Sequence, residues 1–463
     1  MTEARQIVII GCGAGGGTSA QFARKTDRTA SITVFEKGSY SQYSKCGLPY
    51  AIAGTIPSFP ALIEFSEEWF KKEHIDLYLQ TSVEDIDITH RIVKAKRGTE
   101  AIEKKFDSLI LATGATPWTP PIQHIQKNGH ALQGVSVLRT IEDGQQILPL
   151  IKKGRKATII GAGLIGLEMA DTLYKKGMMV TVVEALPTIL ANTLDEDMSE
   201  SVLQMLQDKI AIYTNHLAIG LEEQDGTLTA LIIQDTLNKE EERIETDLLI
   251  IATGTKANTA LAKTIGCALG RTGGIKVNEK SETSLKHVYA VGDCTEYVDY
   301  MTNEPVAIGL GSIVVRQGIA AGMNAAGGDY HLPSGVLLTR TSEFFDIEIA
   351  AVGPVKQSMK SIPLVTGKYK GYSRPEYFPG KHPIIVKIGV HEETKALLSA
   401  QAVGSNAAQR INTFACAILG KMKVDDVQKL ETAYAPPIAP TLDALTLSCD
   451  VVALKLGRKR RGT

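Results

Sequence analysis

The chain has 463 residues, 44% of them hydrophobic, which is enough for large cores and, at the usual domain size, for about three domains. Its formal net charge of -1 argues against nucleic-acid binding, and no apolar run approaches the roughly 20 residues of a membrane helix. The six cysteines form no CxxC pair and the first residues lack a signal-peptide pattern, so we expect a cytoplasmic protein without a disulfide framework or a metal site.

The chain opens with a strand, a glycine-rich loop and a helix. An apolar run over Gln6–Ile10 leads into the loop, and a helical pattern continues to about Lys25. The glycines of this loop are Gly11, Gly13 and Gly16. Backbone N–H groups at such a helix start can bind a pyrophosphate, and Glu36, at the end of the next strand, is placed for ribose hydroxyls. The pattern therefore predicts a first dinucleotide site.

A solitary Cys46 follows this loop and precedes a helical pattern. A helix start and the positive charge of Lys45 both favour a thiolate, although a buried structural cysteine is the alternative. The CxxxxC spacing is absent, because Ser41 and Ala51 stand five residues to either side. One thiol cannot store two electrons as an internal disulfide. Cys46 is therefore predicted to form a mixed disulfide with an outside thiol, a persulfide or a sulfenic acid.

A second nucleotide site repeats the same plan. The apolar run Ala157–Ile160 leads into another glycine loop, and Glu184 ends the following strand. The glycines of this loop are Gly161, Gly163 and Gly166. Each loop also has an apolar strand ending in Ala-Thr-Gly downstream, at Gly114 and Gly254, which indicates a duplicated nucleotide-binding plan. No Arg or Lys directly follows Glu184 to receive a ribose 2′-phosphate, so NADH is favoured over NADPH.

The rest of the chain predicts a return to the first domain and then a third module. Another apolar strand ends at Asp293, and alternating segments such as Ile384–Ile388 and Leu397–Val403 indicate an antiparallel sheet with helices. We predict an α/β protein with two Rossmann-like dinucleotide-binding domains and a C-terminal α+β domain. The predicted boundaries are 1–120 with 251–330 for the first domain, 121–250 for the second and 331–463 for the third.

The segment that ends at Asp293 resembles the second flavin-binding fingerprint of flavoprotein reductases that carry two dinucleotide domains, where the aspartate holds the ribityl chain. This resemblance implies that the first nucleotide is FAD and the second NADH. With its single cysteine, the chain resembles the single-cysteine class of pyridine nucleotide-disulfide oxidoreductases. That class includes coenzyme A-disulfide reductases, NAD(P)H-dependent persulfide reductases, NADH oxidases and NADH peroxidases. The C-terminal domain is then implied to be a dimerisation domain.

Two tyrosine-containing segments near the C-terminal end extend the resemblance. Residues 376–380 and 434–437 are similar to segments of the coenzyme A-disulfide branch, in which a tyrosine from each reaches the cysteine of the partner subunit. The resemblance thus implies a homodimer with Tyr377 and Tyr434 as catalytic residues, and their phenols could protonate a departing thiol. Ordinary interface aromatics are the alternative. Glu168 resembles the acid beside the nicotinamide, with a carboxylate in the first turn of a helix as its alternative reading.

Coenzyme A as the thiol carrier stays open. A basic pair and a further lysine match positions that meet coenzyme A phosphates in relatives, but basic residues on a helix often lie on a solvated surface. The predicted substrate contacts are Arg24, Lys25, Lys45 and Lys71. Phe22 replaces a polar residue in this region, and residues 42–45 differ from the Ser-Phe-x-Asn that commonly precedes the cysteine.

Additional cofactor contacts are predicted around the two nucleotide sites. The predicted FAD contacts are Lys37, Thr113, Gly114, Arg139, Gly292 and Gly311. The predicted contacts of the nicotinamide dinucleotide are Ile165, Glu168 and Gly254. Two other functions stay open: an NADH oxidase that uses Cys46 as a thiol and sulfenic acid, and a flavin-bearing interaction protein with vestigial activity. Oxidase and peroxidase relatives usually carry a His where this chain has Ala14, which disfavours oxygen or peroxide as the acceptor.

Overall fold

Two dinucleotide-binding modules and a C-terminal sheet are built from the elements of the computed structural model, which describes residues 4–127 and 130–461. The helices in these ranges are α1 (Ala14–Thr26), α2 (Leu48–Ala53), α3 (Glu67–Lys72), α4 (Ile141–Ile147), α5 (Leu164–Lys175), α6 (Glu196–Leu206), α7 (Ala260–Thr264), α8 (Gly311–Ala325), α9 (Ala407–Leu419), α10 (Val424–Gln428) and α11 (Ala444–Arg461).

The strands are β1 (Gln6–Ile10), β2 (Ser31–Phe35), β3 (Ile75–Tyr78), β4 (Ser82–Asp87), β5 (Ile92–Arg97), β6 (Glu100–Lys105), β7 (Ser108–Leu111), β8 (Ala115–Pro117), β9 (Gln126–Lys127), β10 (His130–Ala131), β11 (Val135–Val137), β12 (Lys156–Ile160), β13 (Met179–Val183), β14 (Ala211–Tyr213), β15 (His216–Gln224), β16 (Thr227–Asp235), β17 (Glu241–Glu245), β18 (Leu248–Ile251), β19 (Thr255–Ala257), β20 (Ile275–Lys276), β21 (Val288–Ala290), β22 (Thr295–Val298), β23 (Pro305–Ala307), β24 (Arg340–Phe344), β25 (Ile347–Val352), β26 (Leu364–Tyr372), β27 (Pro383–His391) and β28 (Leu397–Gly404). The elements fall into two units, one of residues up to 118, 138–148 and 254–336, and one of 119–137, 149–253 and 337 onward.

The first unit is organised around a parallel five-stranded sheet in the order β21-β7-β1-β2-β3. The inner strands β7, β1 and β2 are mostly apolar and buried because both of their faces are covered, and their side chains contribute to two buried clusters. The separate antiparallel sheet β4-β5-β6 packs on this core. Helices α1 and α8 lie in direct contact through small residues. A Cβ on Gly322 would stand 2.3 Å from the Ser19 carbonyl oxygen, and a Cβ on Gly318 2.8 Å from that of Gly15.

The nucleotide module of the second unit repeats this architecture. Its parallel sheet has the order β11-β18-β12-β13-β14, and an antiparallel sheet β15-β16-β17 accompanies it. The repetition extends to single hydrogen bonds at corresponding places. Gln6 N donates to Asp107 at 2.8 Å, as Lys156 N donates to Asp247 at 2.8 Å. The predicted duplication is therefore present in the backbone and in the acids that tie neighbouring strands together.

The C-terminal module is an antiparallel sheet in the order β24-β25-β28-β27-β26. The alternating segments predicted as strands are two of its interior strands, β27 and β28, and helices α9 and α11 pack on the sheet. At the closest approach of α11, a Cβ on Gly367 would stand 2.6 Å from a methyl carbon of Val452. Arg410 of α9 forms a two-pronged ion pair with Asp443, each bond 2.8 Å long, which anchors the start of α11.

Buried charges join the C-terminal sheet to the nucleotide module within the second unit. Lys387 of β27 lies 2.7 Å from Asp195 and 2.5 Å from Asp197, at the start of α6. Lys368 of β26 pairs with Asp197 at 2.7 Å, and Gln401 of β28 accepts the N–H of Asp195 at 2.8 Å. Because the side chains of Lys387 and Asp195 are only 8% and 9% exposed, this ion pair links the C-terminal sheet to the nucleotide module within the second unit.

Residues 138–148 lie in the first unit, although the sequence pattern assigned them to the second domain. They follow β11 and carry Arg139 and α4, whose first turn is closed by a capping box between Thr140 and Asp143. A Cβ on Gly144 would stand 2.6 Å from the Phe59 ring, so α4 packs closely on that loop. We keep the three-domain division at about 120, 250 and 330 as a proposal.

Among residues 4–127 and 130–461, no helix has both the length and the apolar composition needed to cross a lipid bilayer.

Candidate active site

The backbone of the first glycine loop lies very close to the backbone after β7 and to the first turn of α1. Gly11 has a φ of 103°, and a Cβ there would stand 2.2 Å from the Ala112 carbonyl oxygen. A Cβ on Gly16 would stand 1.9 Å from the Gly11 carbonyl oxygen, so helix α1 can start only with glycine at that position. At Gly13 a Cβ would meet no described atom within 4 Å. Gly13 therefore leaves space beside the start of α1. Backbone N–H groups at such a helix start can bind a pyrophosphate.

Glu36 is held at the mouth of this loop by two backbone donors. One carboxylate oxygen accepts the N–H of Cys12 at 2.7 Å, and the other accepts the N–H of Gly38 at 2.7 Å. Its neighbour Lys37 is exposed. These two hydrogen bonds fix the direction of the Glu36 carboxylate without a bound nucleotide. A carboxylate held in this way suits the binding of ribose hydroxyls.

The second loop has the same construction. Gly161 has a φ of 102°, and a Cβ on Gly166 would stand 2.0 Å from the Gly161 carbonyl oxygen, while one on Gly163 would meet nothing within 4 Å. Glu184 accepts the N–H groups of Ala162 at 2.8 Å and Leu186 at 2.9 Å, which reproduces the Glu36 arrangement. The side chain of Ile165 is 47% exposed beside this loop, so it offers an apolar surface to a bound nucleotide.

Arg139 and Asp293, both predicted cofactor contacts, meet directly. The Arg139 Nη2 lies 2.5 Å from the Asp293 carboxylate, and both side chains are largely buried. The Nε of Arg139 is buried without a hydrogen-bond partner among the described residues. A buried guanidinium N–H of this kind needs an acceptor, so it fits an anionic ligand in this place.

The turns around this ion pair are held by residues the sequence did not single out. Asn258 bridges the first Ala-Thr-Gly turn, since its carbonyl oxygen accepts the Thr113 hydroxyl at 2.6 Å and its side-chain amide donates to the Thr113 carbonyl at 3.0 Å. Gln317 of α8 accepts the N–H of Gly292 at 2.9 Å. Gln317 is fully buried, but α8 also carries Arg316 and Asn324, so the pattern of this helix did not indicate Gln317.

Cys46 lies at the start of a helix and beside the start of another. It occupies the 3-10 turn Lys45–Gly47 that leads into α2, and its side chain is exposed. A Cβ on Gly311, the first residue of α8, would stand 4.0 Å from the Cys46 Sγ. The N-terminus of a 15-residue helix carries partial positive charge, so this position favours a thiolate.

Lys45 brings positive charge to the same surface. Lys45 is exposed as a residue, yet desolvation by the surrounding protein lowers the pKa of its ammonium group, and the charge of Arg139 lowers it further. The carboxylates of Glu36 and Asp293 act in the opposite direction. Lys45 therefore belongs to the same charge cluster as the predicted flavin contacts.

The remaining cysteines differ from Cys46 in their surroundings. All six lie in the described ranges and none forms a disulfide. Burial raises the pKa of the thiols of Cys12, Cys267, Cys294 and Cys449. Apart from Cys46, only Cys416 of α9 is exposed among them. The buried thiols are accordingly expected to be unreactive.

The two predicted tyrosines come together in the C-terminal module. Tyr377 lies between β26 and β27, Tyr434 lies between α10 and α11, and their hydroxyl oxygens are 3.4 Å apart. Their side chains are 73% and 48% exposed. The fold thus builds a paired phenol surface from segments 57 residues apart in sequence.

The predicted substrate cations differ in their environment. Arg24 is buried, and its guanidinium donates to backbone carbonyls on every nitrogen, including Glu73 at 2.8 Å and His74 at 2.8 Å. This arrangement favours a structural role for Arg24, in which it ties the end of α1 to the end of α3. Lys25 and Lys71 are exposed at those two helix ends, and the Lys25 Nζ lies 4.6 Å from the Phe22 ring centroid.

Glu168 lies on the second turn of α5. Its carboxylate accepts the hydroxyl of Ser342 on β24 at 2.6 Å. Burial raises the pKa of Glu168, and the Ser342 hydrogen bond partly offsets that rise. The sequence did not indicate Ser342, because a serine inside an alternating strand carries no signal of a partner 174 residues away.

Comparisons with known proteins decide the family. The family description "Pyridine nucleotide-disulphide oxidoreductase" matches residues 5–318, and the dimerisation domain of that family matches residues 339–445. The chain belongs to this family. The predicted resemblance and the predicted fold, two Rossmann-like domains with a C-terminal dimerisation domain, are confirmed.

Three relatives illustrate the range of similarity. The chain is 37% identical to an NADH oxidase of Methanocaldococcus jannaschii, across 98% of this chain and 99% of that protein. It is 32% identical to a CoA-dependent NAD(P)H sulfur oxidoreductase of Pyrococcus furiosus, across 97% and 99%. The structure of an NAD-dependent persulfide reductase from A. fulgidus superposes with a TM-score of 0.92 at 32% identity, across 99% and 84%.

The family membership makes the protein a flavin-dependent NAD(P)H oxidoreductase, and the two glycine loops fit two dinucleotides. FAD fits the first unit, where the open Gly13 position, the fixed Glu36 and the unsatisfied Arg139 Nε lie. A nicotinamide dinucleotide fits the second loop, where Gly163 and Glu184 repeat that arrangement.

Proposed function

We propose that the protein is an NADH-dependent reductase of disulfides or persulfides that acts through Cys46 alone. The observation that carries this proposal is the position of the Cys46 sulfur, exposed beside the first residue of α8. FAD, when bound, supplies a two-electron relay between the nicotinamide and sulfur. The protein's own residues then have to hold a thiolate, receive a substrate sulfur and protonate the product.

The sulfur chemistry has two steps. The Cys46 thiolate attacks one sulfur of R–S–S–R′, which forms Cys46–S–S–R and releases R′–S⁻. Two electrons then break the Cys46–S–S–R bond, which releases R–S⁻ and regenerates the thiolate. With a persulfide R–S–SH, attack on the outer sulfur releases R–SH, and reduction of the resulting Cys46 persulfide releases HS⁻. No second cysteine is needed in either route.

A homodimer completes this site in our proposal. The Tyr377 and Tyr434 pair of one subunit is proposed to serve the Cys46 of the other and to protonate the released thiolate. The dimerisation domain that matches residues 339–445 supports the homodimer, and the exposure of both phenols supports their use in a contact with another surface.

A thiol carrier with phosphate groups, such as coenzyme A, is the substrate class we favour. The CoA-dependent sulfur oxidoreductase of P. furiosus supports it by similarity. Lys25 and Lys71 are exposed at neighbouring helix ends and Lys45 adjoins the sulfur, so these three cations are the proposed phosphate contacts, with Arg24 supporting the first two.

NADH is the proposed donor. Both Glu184 oxygens are occupied by backbone N–H groups, which fixes a negative charge where the 2′-phosphate of NADPH would have to lie. The residues that follow, Ala185 to Pro187, bring no cation. A comparison of kcat/KM for NADH and NADPH tests this preference, and equal values would contradict it.

Replacing the sulfur tests the function. In Cys46→Ser, reduction of coenzyme A disulfide is expected to fall at least about 1000-fold, while flavin reduction by NADH keeps its rate. Cys416→Ser is the matched control, because Cys416 is also exposed but lies on α9, and we expect parental turnover. Disulfide turnover at the parental rate in Cys46→Ser would show that the nucleophile is wrongly assigned.

An NADH oxidase is the second candidate, favoured by the M. jannaschii relative at 37% identity. Two NADH-derived electrons and two protons would then convert oxygen to hydrogen peroxide, which oxidises the Cys46 thiolate to a sulfenic acid and releases hydroxide. Two further NADH-derived electrons and a proton would reduce the sulfenic acid to thiolate and water. Stopped-flow of the NADH-reduced enzyme with oxygen and, anaerobically, with coenzyme A disulfide separates the two functions. Faster reoxidation by oxygen would favour the oxidase.

A further inference from the structure

Helix α5 of the nucleotide module packs along β24 and the turn that follows it. Three contacts form this seam: the Ser342 hydroxyl on Glu168 at 2.6 Å, the Phe345 ring 5.4 Å from the Tyr174 ring, and Asp346 3.5 Å from Lys175. Lys209 also donates to the Phe345 carbonyl at 3.0 Å. The first strand of the C-terminal sheet thus forms part of the wall of the nucleotide module.

Only one contact in this seam involves the carboxylate of Glu168. Glu168 is half-buried, Ser342 is buried, and the hydroxyl that joins them is the one hydrogen-bond donor given for this carboxylate among the described residues. A carboxylate with one donor in a desolvated place depends strongly on that donor, because the hydrogen bond favours its charged form.

The other charged groups on the packed elements do not shift the pKa of Glu168. They are Asp171 and Lys175 on α5, Lys156 on β12, and Arg340, Glu343 and Asp346 on β24 and its turn. Lys175 pairs with Asp171 at 2.9 Å, and Lys156 pairs with Glu245 at 2.5 Å. Strand β13 carries no charged residue. Burial and the Ser342 hydroxyl are the two influences on the pKa of Glu168.

We propose that Ser342 is a positioning residue of the nicotinamide site, which directs the Glu168 carboxylate and keeps it ionised. The proposal rests on the proposed role of the second glycine loop as the NADH site. Glu168 lies five residues after Gly163, on the helix that begins at this loop. NAD⁺ carries one more positive charge than NADH, so an ionised Glu168 favours NAD⁺ and thereby favours departure of hydride from NADH.

The pH dependence of this effect has a definite sign. Glu168 is ionised above its pKa, so NAD⁺ affinity rises as the pH rises through that value. Removing the Ser342 hydroxyl takes away the influence that lowers the pKa, so the rise must move to higher pH.

The test measures NAD⁺ and NADH dissociation constants of the FAD-bound enzyme by titration calorimetry from pH 5 to pH 9. Ser342→Ala is expected to shift the rise in NAD⁺ affinity to higher pH and to weaken NAD⁺ binding about threefold or more between the two midpoints, with less effect on NADH. Ser342→Thr, which keeps a hydroxyl, should restore the parental midpoint. Thr341→Val is the matched control, because that hydroxyl donates to the Ile349 carbonyl instead.

Glu168→Gln provides the second arm. It should remove the pH-dependent rise, and adding Ser342→Ala to it should change nothing further. A parental midpoint in Ser342→Ala, or a Ser342 effect that persists in Glu168→Gln, would overturn the proposal. Because NAD⁺ binding does not need Cys46, failure here leaves the disulfide chemistry standing, and loss of the Cys46 assignment leaves this test valid.

Discussion

The surroundings of Cys46 differ from those of most other cysteines in the chain. Its sulfur is exposed beside the first turn of α8, whereas four of the other five cysteines are buried thiols with raised pKa values. Exposure beside a helix start therefore sets Cys46 apart from the four buried thiols. Lys45 adds positive charge next to it, so local electrostatics and exposure act together.

The two phenols of the tyrosine pair are not equivalent. The hydrogen bond with Tyr434 raises the pKa of Tyr377, whereas hydrogen bonds from Tyr377 and Thr441 lower the pKa of Tyr434. In the proposed mechanism we therefore expect Tyr434 to donate the proton and Tyr377 to support the phenolate that remains.

This asymmetry predicts different effects for the two Phe variants. Tyr434→Phe should slow disulfide reduction about 100-fold, because the acid is lost. In Tyr377→Phe the pKa of Tyr434 rises, so the loss of activity at alkaline pH should move to higher pH. The pH profile of turnover measures both, with Tyr372→Phe as the exposed control. Parental profiles in both variants would remove the tyrosines from catalysis.

At the scale of elements, each glycine loop contains two kinds of glycine. Gly16 and Gly166 permit a helix to start against its own loop, while Gly13 and Gly163 face open space. The first kind is required by the fold and we expect the second to bind the nucleotide, although the two kinds cannot be told apart in the sequence.

Alanine substitutions should separate these two roles in the first loop. Gly16→Ala forces a Cβ to within 1.9 Å of the Gly11 carbonyl oxygen, so the apoprotein should lose about 1–3 kcal/mol of stability. Gly13 has an extended backbone with φ -70°, so Gly13→Ala should leave apoprotein stability unchanged and weaken FAD binding. Urea unfolding of the apoprotein and FAD titration measure the two quantities. Equal stability losses in both variants would contradict this division.

The sequence predicted best those strands whose apolar or alternating residues form one continuous segment. The apolar run Gln6–Ile10 is β1 in full, and β27 and β28 include both alternating segments. Residues 138–148 fall in the first unit, and a short excursion of the chain of this kind leaves no compositional mark by which a sequence pattern could predict it. Ser342 and Gln317 were missed for a related reason, because their roles depend on contacts that only the folded chain creates.

At the scale of the whole molecule, a buried charge cluster joins the nucleotide module to the C-terminal sheet. Lys387 is buried between Asp195 and Asp197, while Lys368 is partly exposed. Burial alone would raise the pKa of Asp197, but hydrogen bonds from Lys368 and Lys387 outweigh it and lower that pKa below 3.8. The cluster therefore stabilises the fold above the pKa of an unfolded aspartate and loses this effect as the pH falls further.

Removing the buried lysine should expose this contribution. Lys387→Met leaves two carboxylates without their shared partner, so unfolding free energy should fall by about 3–5 kcal/mol at neutral pH. Lys368→Met should cost about 1 kcal/mol or less, because that pair is closer to solvent. Urea unfolding at pH 7 and at pH 3 tests this, and the Lys387→Met difference should shrink in acid. A difference independent of pH would contradict the electrostatic account.

The proposed role of Cys46 is tested most directly by the mass of the enzyme after reaction with a disulfide in the absence of NADH. Incubation with coenzyme A disulfide, followed by intact-protein and peptide mass spectrometry, should show one coenzyme A per chain, attached at Cys46, and anaerobic NADH should remove it. Steady turnover of the same disulfide with no adduct at Cys46, or an adduct that NADH cannot discharge, would contradict a mechanism based on this one sulfur.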